Sequence, residues 1–284
     1  MAAMHFRRLM LITTASANPI QPITSMTMQS TTTTLERDRA SATRNDAPAG
    51  QEFWFPGRWI GGVSLVLGPL LLLAGVLLRL QFDFFFPQQL AAFQDHPELV
   101  FAAYSAFAAG NVLLWPAIAT LARQIGRKKP GLALWGGALA MFGLFARTFH
   151  AGVDHLAFQM VRVQGIEVAT KTIADTYGAY HIFHALSPAI FAGWIVLAIG
   201  AYRSGTLGVI RSVSLALMAS LMMGVLKGSS PTSVVATAGL CVALVPLGIQ
   251  VLRDGPMPRP RVLFGWCLLM IGLVVLFYFL GELG

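Results

Sequence analysis

Seven separate runs of mostly apolar, largely uncharged residues fill the chain between residues 59 and 280. Each is roughly twenty residues long, enough for a helix rising ~1.5 Å per residue to cross the ~30 Å hydrocarbon core of a bilayer. Inside lipid every backbone N–H and C=O must be satisfied within the protein, which leaves helices and closed barrels. The runs lack the apolar/polar alternation of barrel strands. The sequence therefore predicts an all-α fold, a polytopic integral membrane bundle of seven transmembrane helices. The expected spans are residues 59–80, 99–121, 131–161, 177–202, 207–227, 232–252 and 262–280, the third running on past the hydrocarbon boundary. No internal repeat is visible, and an odd number of spans does not divide into two equal inverted halves.

Composition agrees with this class. Hydrophobic residues make up 56% of the chain and charged residues 11%, against about 25% charged in ordinary globular domains. Nearly everything after residue 58 is span or short connector, which leaves no room for a sizeable water-soluble domain. Residues 1–52 are different: rich in Ser, Thr, Ala, Asn and Gln, with Thr at each of positions 31–34. Such a segment cannot bury enough apolar surface to offset its ordering entropy. It is expected to be a disordered cytoplasmic tail ahead of a transmembrane domain over 53–284. Arg7-Arg8, the apolar residues 9–12 and Ala15-Ser16-Ala17 resemble a signal peptide in outline. The apolar part falls short of the roughly 7–15 residues that such a segment needs, so cleavage is not expected. Met26 and Met28 are alternative translation starts.

The net charge of +8 is a matter of topology rather than of nucleic acid. Fifteen of the twenty Lys and Arg residues fall in the tail and in alternate connectors, at or beside Arg123, Arg127–Lys129, Arg203, Arg211, Arg253, Arg259 and Arg261. Five fall on the other side: Arg79, Arg147, Arg162, Lys171 and Lys227. The positive-inside rule then puts the amino terminus in the cytoplasm and the carboxyl terminus outside. No basic helix with interleaved aromatics is present, so the partner implied is the lipid bilayer and its anionic headgroups, not nucleic acid. A membrane-protein partner or a homo-oligomer is compatible with the sequence. Cys241 and Cys267 lie inside spans and read as small apolar packing residues, with no metal-binding or disulfide pattern. Sixteen arginines against four lysines, with abundant Ala and Gly, match the codon bias of a GC-rich bacterial genome, and so a bacterial plasma membrane.

Several features carry packing information. Gly61, Gly68 and Gly75 recur every seven residues and place a strip without side chains along one face of the first span, where another helix is expected to approach closely. Residues 81–98, with Phe84-Phe85-Phe86-Pro87, are expected to form a short interfacial segment, with a mobile lid as the alternative. Asn111 is expected to bond across helices. Met218, Met222 and Met223 read as core or lipid-facing residues rather than a soft-metal path.

One constellation carries chemistry. Arg147, His150 and Asp154 stand at i, i+3 and i+7 on one stripe of the third span, with His155 about 100° further round. The expected fourth span opens with Tyr177, His181 and His184 on one stripe and pairs Tyr180 with His184 at i+4. Consecutive antiparallel helices bring both groups to the outer end of the bundle. His150, Asp154, His155, His181 and His184 are the candidate ligands for a divalent metal, and two imidazoles on different helices are the candidate axial ligands of a haem. The same His and Asp side chains relay protons near neutral pH. Arg147, Tyr177 and Tyr180 are the candidate contacts to a substrate or anion. The plain alternative is a set of polar side chains bonded to water, lipid phosphate or neighbouring helices.

Seven spans with His and Asp resemble in outline the membrane hydrolases of the alkaline-ceramidase and progestin-receptor type. Those place metal-binding histidines on an early and on the last span, whereas residues 262–280 contain none, so their activity is not carried over. The same run has no lysine for a retinal Schiff base. Three functions follow as expectations: a membrane-embedded binding protein or enzyme using the His/Asp cluster, a small-molecule or proton-linked transporter, and an accessory or sensory subunit without chemistry. A transporter usually has polar groups deep in the bilayer and interrupted helices. Here the charged groups fall mostly near span ends and only Pro69, Pro116, Pro188 and Pro246 offer possible breaks, which counts against transport without excluding facilitated movement of an apolar substrate.

Overall fold

The computed structural model describes residues 54–179, 181–255 and 260–282; the tail over 1–52 and Tyr180 lie outside them. The described residues form α1 (Arg58–Leu78), α2 (Phe86–Asp95), α3 (Pro97–Gly126), α4 (Pro130–Gln164), α5 (Ile166–Thr176), α6 (Ile182–Ser204), α7 (Val209–Ala216), α8 (Pro231–Arg253) and α9 (Pro260–Glu282), and among them is no strand. The fold is an all-α polytopic bundle.

Small residues set the helix spacing. Along α1, Gly61 meets Thr120, Gly68 meets Gly110 and Leu113, and Gly75 meets Ala103 and Phe107, so the seven-residue strip is the seam with antiparallel α3. A Cβ at Gly75 would stand 2.6 Å from the Ala103 carbonyl oxygen and 2.7 Å from the Phe107 nitrogen, which only a bare backbone permits. Antiparallel α4 and α6 approach in the same way, Gly143 against Ile190 and Gly193 against Ala140. α8 lies antiparallel to α1, with Gly62 against Gly248 and Leu252, and the Arg58 guanidinium donates to the Asp254 carbonyl at 2.7 Å. Leu65, Leu72, Ile118, Leu144, Trp194, Leu197, Leu240 and Leu244 fill the interior between these helices.

The count of seven continuous spans requires correction. Among the described residues six helices are long and apolar enough to cross a membrane, and the expected fifth span, residues 207–227, is not one of them. α7 is followed by one 3₁₀ turn, Leu217–Ser220, after which helical structure stops until Pro231. The chain nevertheless travels the length of the bundle there. α6 ends beside Lys128, at the end that holds Arg58, while Ser229 takes a hydrogen bond from Arg79 at the other end. The crossing is thus half helix and half non-helical backbone with bends and a turn. The four prolines that offered possible breaks do not break their helices, since α1, α3, α6 and α8 run through Pro69, Pro116, Pro188 and Pro246. At the Arg58 end, Arg211 anchors the helical half by donating from Nη2 and Nε to the Ala243 carbonyl of α8, at 2.7 and 3.2 Å.

Unwound backbone at membrane depth is tolerated only where protein groups or a cavity satisfy it. Here side chains from the neighbouring helices do so. Asp154 accepts from the Leu226 N–H, Arg147 donates to the Leu221 carbonyl and Tyr177 to the Val225 carbonyl. The Gly228 N–H reaches the Phe84 carbonyl at 2.8 Å.

α4 has 35 residues, a length of roughly 52 Å that exceeds the ~30 Å hydrocarbon core. Its far end is clothed by α2 and α5, which build a second apolar cluster around Leu90, Phe93, Val100, Phe158, Val161 and Ile173. Residues 86–95 are therefore a packed helix rather than a free lid. α9 is exposed along its described length and meets no other helix among the described residues.

Candidate functional site

A cavity of about 190 Å³ opens at the Arg79 end of the bundle, between α3, α4 and the unwound half of the broken crossing. Arg147, His150, Asp154 and His155 face it from α4, Phe101, Tyr104, Ser105 and Phe107 from α3, and residues 221–224, Lys227 and Gly228 from the unwound segment. Arg79 enters from the end of α1, and Ser233 from the first turn of α8.

Arg147 is only 5% exposed, yet among the described residues its guanidinium has a single hydrogen bond, a long one of 3.4 Å from Nη2 to the Leu221 carbonyl, and its Nε has no partner. The nearby carboxylate does not neutralise it, because Asp154, also buried, turns its oxygen to the Leu226 N–H. Arg79 is equally buried; its Nε donates to Ser229 Oγ at 3.1 Å, and its guanidinium carbon lies 4.6 Å from the Tyr104 ring and 4.4 Å from the Phe107 ring. The guanidinium carbon of Arg147 lies 5.7 Å from the same Phe107 ring, so the two cations share one aromatic neighbour. Lys227 Nζ sits 5.5 to 5.8 Å from the rings of Phe84, Phe85 and Tyr177. The lining thus carries three cations and one carboxylate.

The candidates divide into groups. Arg147, His150, Asp154 and His155 all line the cavity, as one face of a continuous α4. His150 and His181 meet across α4 and α6 with ring centroids 5.8 Å apart and nearly perpendicular, and His181 lies 6.2 Å from His184. His181 and His184 are not in the lining, and His155 instead approaches Phe101 at 6.3 Å. The stripe of Tyr177, His181 and His184 does not form. α5 ends at Thr176, Tyr177 and Gly178 make a turn, and His181 is extended at the start of α6. Gly178 favours a turn where the apolar period alone suggested more helix. Tyr180, the expected partner of His184, is outside the described residues.

The Nδ1 atoms of His150 and His181 are buried and have no partner among the described residues. Among the described residues, however, no three His, Cys, Asp or Glu side chains come together as a metal-binding group. What the site does gather is positive charge. Arg79 and Lys227 carried a signal in the sequence: they belong to the five basic residues on the sparsely charged side, and three of those five meet here. Tyr104, which donates to Gln89 Oε1 at 2.9 Å, had none beyond being a polar group in a span. Guanidinium N–H groups fork onto carboxylate or phosphate oxygens, and an N–H left without a partner in a buried site is an open position for such an oxygen.

No protein-family model, curated protein or solved structure matches this chain.

Proposed function

We propose that this multi-pass membrane protein binds a small anionic group in the cavity at its Arg79 end, as the binding step of a carrier. The observation that supports it is Arg147, a buried cation with one long hydrogen bond, an unpartnered Nε and no carboxylate on it. An uncompensated buried charge costs several kcal/mol in a low-dielectric site by order of magnitude. A bound anion removes that cost, and Arg79 and Lys227 add to the attraction. The first turn of α8, where Ser233 faces the cavity, contributes the positive end of a helix dipole. His150 and Asp154, on the same wall, are the groups that would exchange a proton with the ligand.

Transport is favoured over a static receptor by the crossing that is half helix and half unwound backbone beside the cavity, a construction typical of carriers. The reading includes the location: the plasma membrane of a bacterium, with the Arg58 end and the amino terminus in the cytoplasm and the cavity facing outward, on the strength of the basic asymmetry.

The test is thermal unfolding of the purified full chain in a non-ionic detergent, with sodium phosphate or sodium butyrate added against sodium chloride at equal ionic strength. A ligand that binds the folded state alone raises its stability by about 2.7 kcal/mol at a hundredfold excess over Kd. The expected result is a higher Tm with at least one of these anions and no such rise in Arg147→Gln. Equal Tm values in phosphate, butyrate and chloride would overturn the reading.

A further inference from the structure

Resting on the anion-binding reading above, we infer that the natural ligand is an amphiphile of the bilayer: a compact oxyanion head enters the cavity while its apolar chain stays in the leaflet. Long-chain carboxylates are the simplest members of this class.

Size is the first argument. The cavity measures about 190 Å³, small against the roughly 300–1,000 Å³ of pockets that enclose most of a drug-sized ligand. A carboxylate and the first few carbons fill it, and any longer ligand must leave through the rim. The rim is the second argument. Phe101 is 45% exposed and Met222 56%, and Ser105 and His155 beside them are also exposed, so the wall is open where α3 and α4 face away from the bundle. Depth is the third. Counted back from Arg123, the basic end of α3, the ~30 Å hydrocarbon thickness is used up after about twenty residues. That reaches the level of Phe101 and Ser105, the edge between acyl chains and headgroups. A side opening at that level, apolar at Phe101 and Met222 and cationic at Arg79 and Arg147 within, matches a molecule with an acidic end and an apolar tail.

The experiment uses the full chain in phosphatidylcholine nanodiscs and a palmitate analogue carrying a diazirine near the carboxyl end, with its methyl ester as the uncharged control. After photolysis, peptide mass spectrometry locates the adducts. The expected result is labelling concentrated on residues 101–108 and 221–224, reduced at least fivefold by excess unlabelled palmitate, when the methyl ester replaces the acid as the probe, and in Arg147→Gln. The ester arm requires no substitution, so the result stands even if the variant fails to fold. Adducts spread evenly over lipid-facing helices such as α9, with acid and ester alike, would overturn the inference. A parallel Tm series from butyrate to decanoate separates the two proposals. If butyrate or phosphate stabilises the protein through Arg147 and lengthening the chain adds nothing, the amphiphile inference falls and the anion site stands. If neither phosphate nor any member of the series stabilises, both fall.

Discussion

The carboxylate of Asp154 in α4 accepts the backbone N–H of Leu226, seventy-two residues away in the unwound half of the broken crossing. Leu226 is fully buried and holds a left-handed backbone conformation, φ 50°, that costs a non-glycine residue about 1–2 kcal/mol. An acidic side chain of α4 thus fixes a strained stretch of main chain to the wall of the cavity. Since such strain persists only where surroundings over-determine it, this contact shapes the site.

Removing that acceptor tests the contact. Asp154→Ala leaves the Leu226 N–H buried and unpaired and is expected to lower stability by about 1–3 kcal/mol. Asp154→Asn keeps an acceptor oxygen and is expected to recover most of the loss. Denaturation in detergent measures both, and equal losses would show that the hydrogen bond is not what matters at this position.

The α1–α3 seam makes a second prediction. Gly75→Leu would drive a side chain into the Ala103 carbonyl and Phe107, and overpacking of this kind costs about 1–3 kcal/mol or more. Gly265→Leu in α9, where nothing lies within 4 Å, is expected to leave the Tm unchanged. The comparison is a thermal melt of both variants beside the parent.

Among the described residues no three metal-ligating side chains gather at the histidines, so their substitution should separate from that of the arginine. His181→Ala is expected to keep the anion-dependent rise in Tm, whereas Arg147→Gln abolishes it. Loss of the rise in both variants, with the histidine variant folded, would move the site toward His150 and His181.

Orientation has its own experiment. A cysteine at Lys128 should react with an impermeant thiol reagent only in inverted vesicles, and one at Glu167 only in right-side-out cells. The native Cys241 and Cys267 lie within membrane-spanning helices. The reverse pattern would put the cavity in the cytoplasm.

The helices were legible because apolar length is a local property. Expected and observed boundaries agree within about five residues for α1, α3, α4, α6, α8 and α9. The broken crossing was hidden for the opposite reason. Residues 207–227 are apolar enough for a span, and what unwinds their second half is long-range: Asp154, Arg147 and Tyr177 supply partners that helix geometry would have supplied. The stripe of Arg147, His150 and Asp154 could be read from helical periodicity alone. Arg79 and Lys227 reach it only through the packing of α1 and the path of the unwound segment, which no spacing encodes. The glycine seam was readable because its period matches a helix face; its partner, α3, was not.

The account rests on Arg147 holding an anion rather than a neighbour. Electron cryomicroscopy of the full chain in lipid nanodiscs loaded with palmitate tests this most directly. The expected result is density in the cavity with an oxygen about 2.7–3.2 Å from Arg147 Nε, Asp154 remaining on the Leu226 N–H. A map in which the Arg147 guanidinium instead forks onto the Asp154 carboxylate, with no density beyond ordered water beside it, would contradict the account.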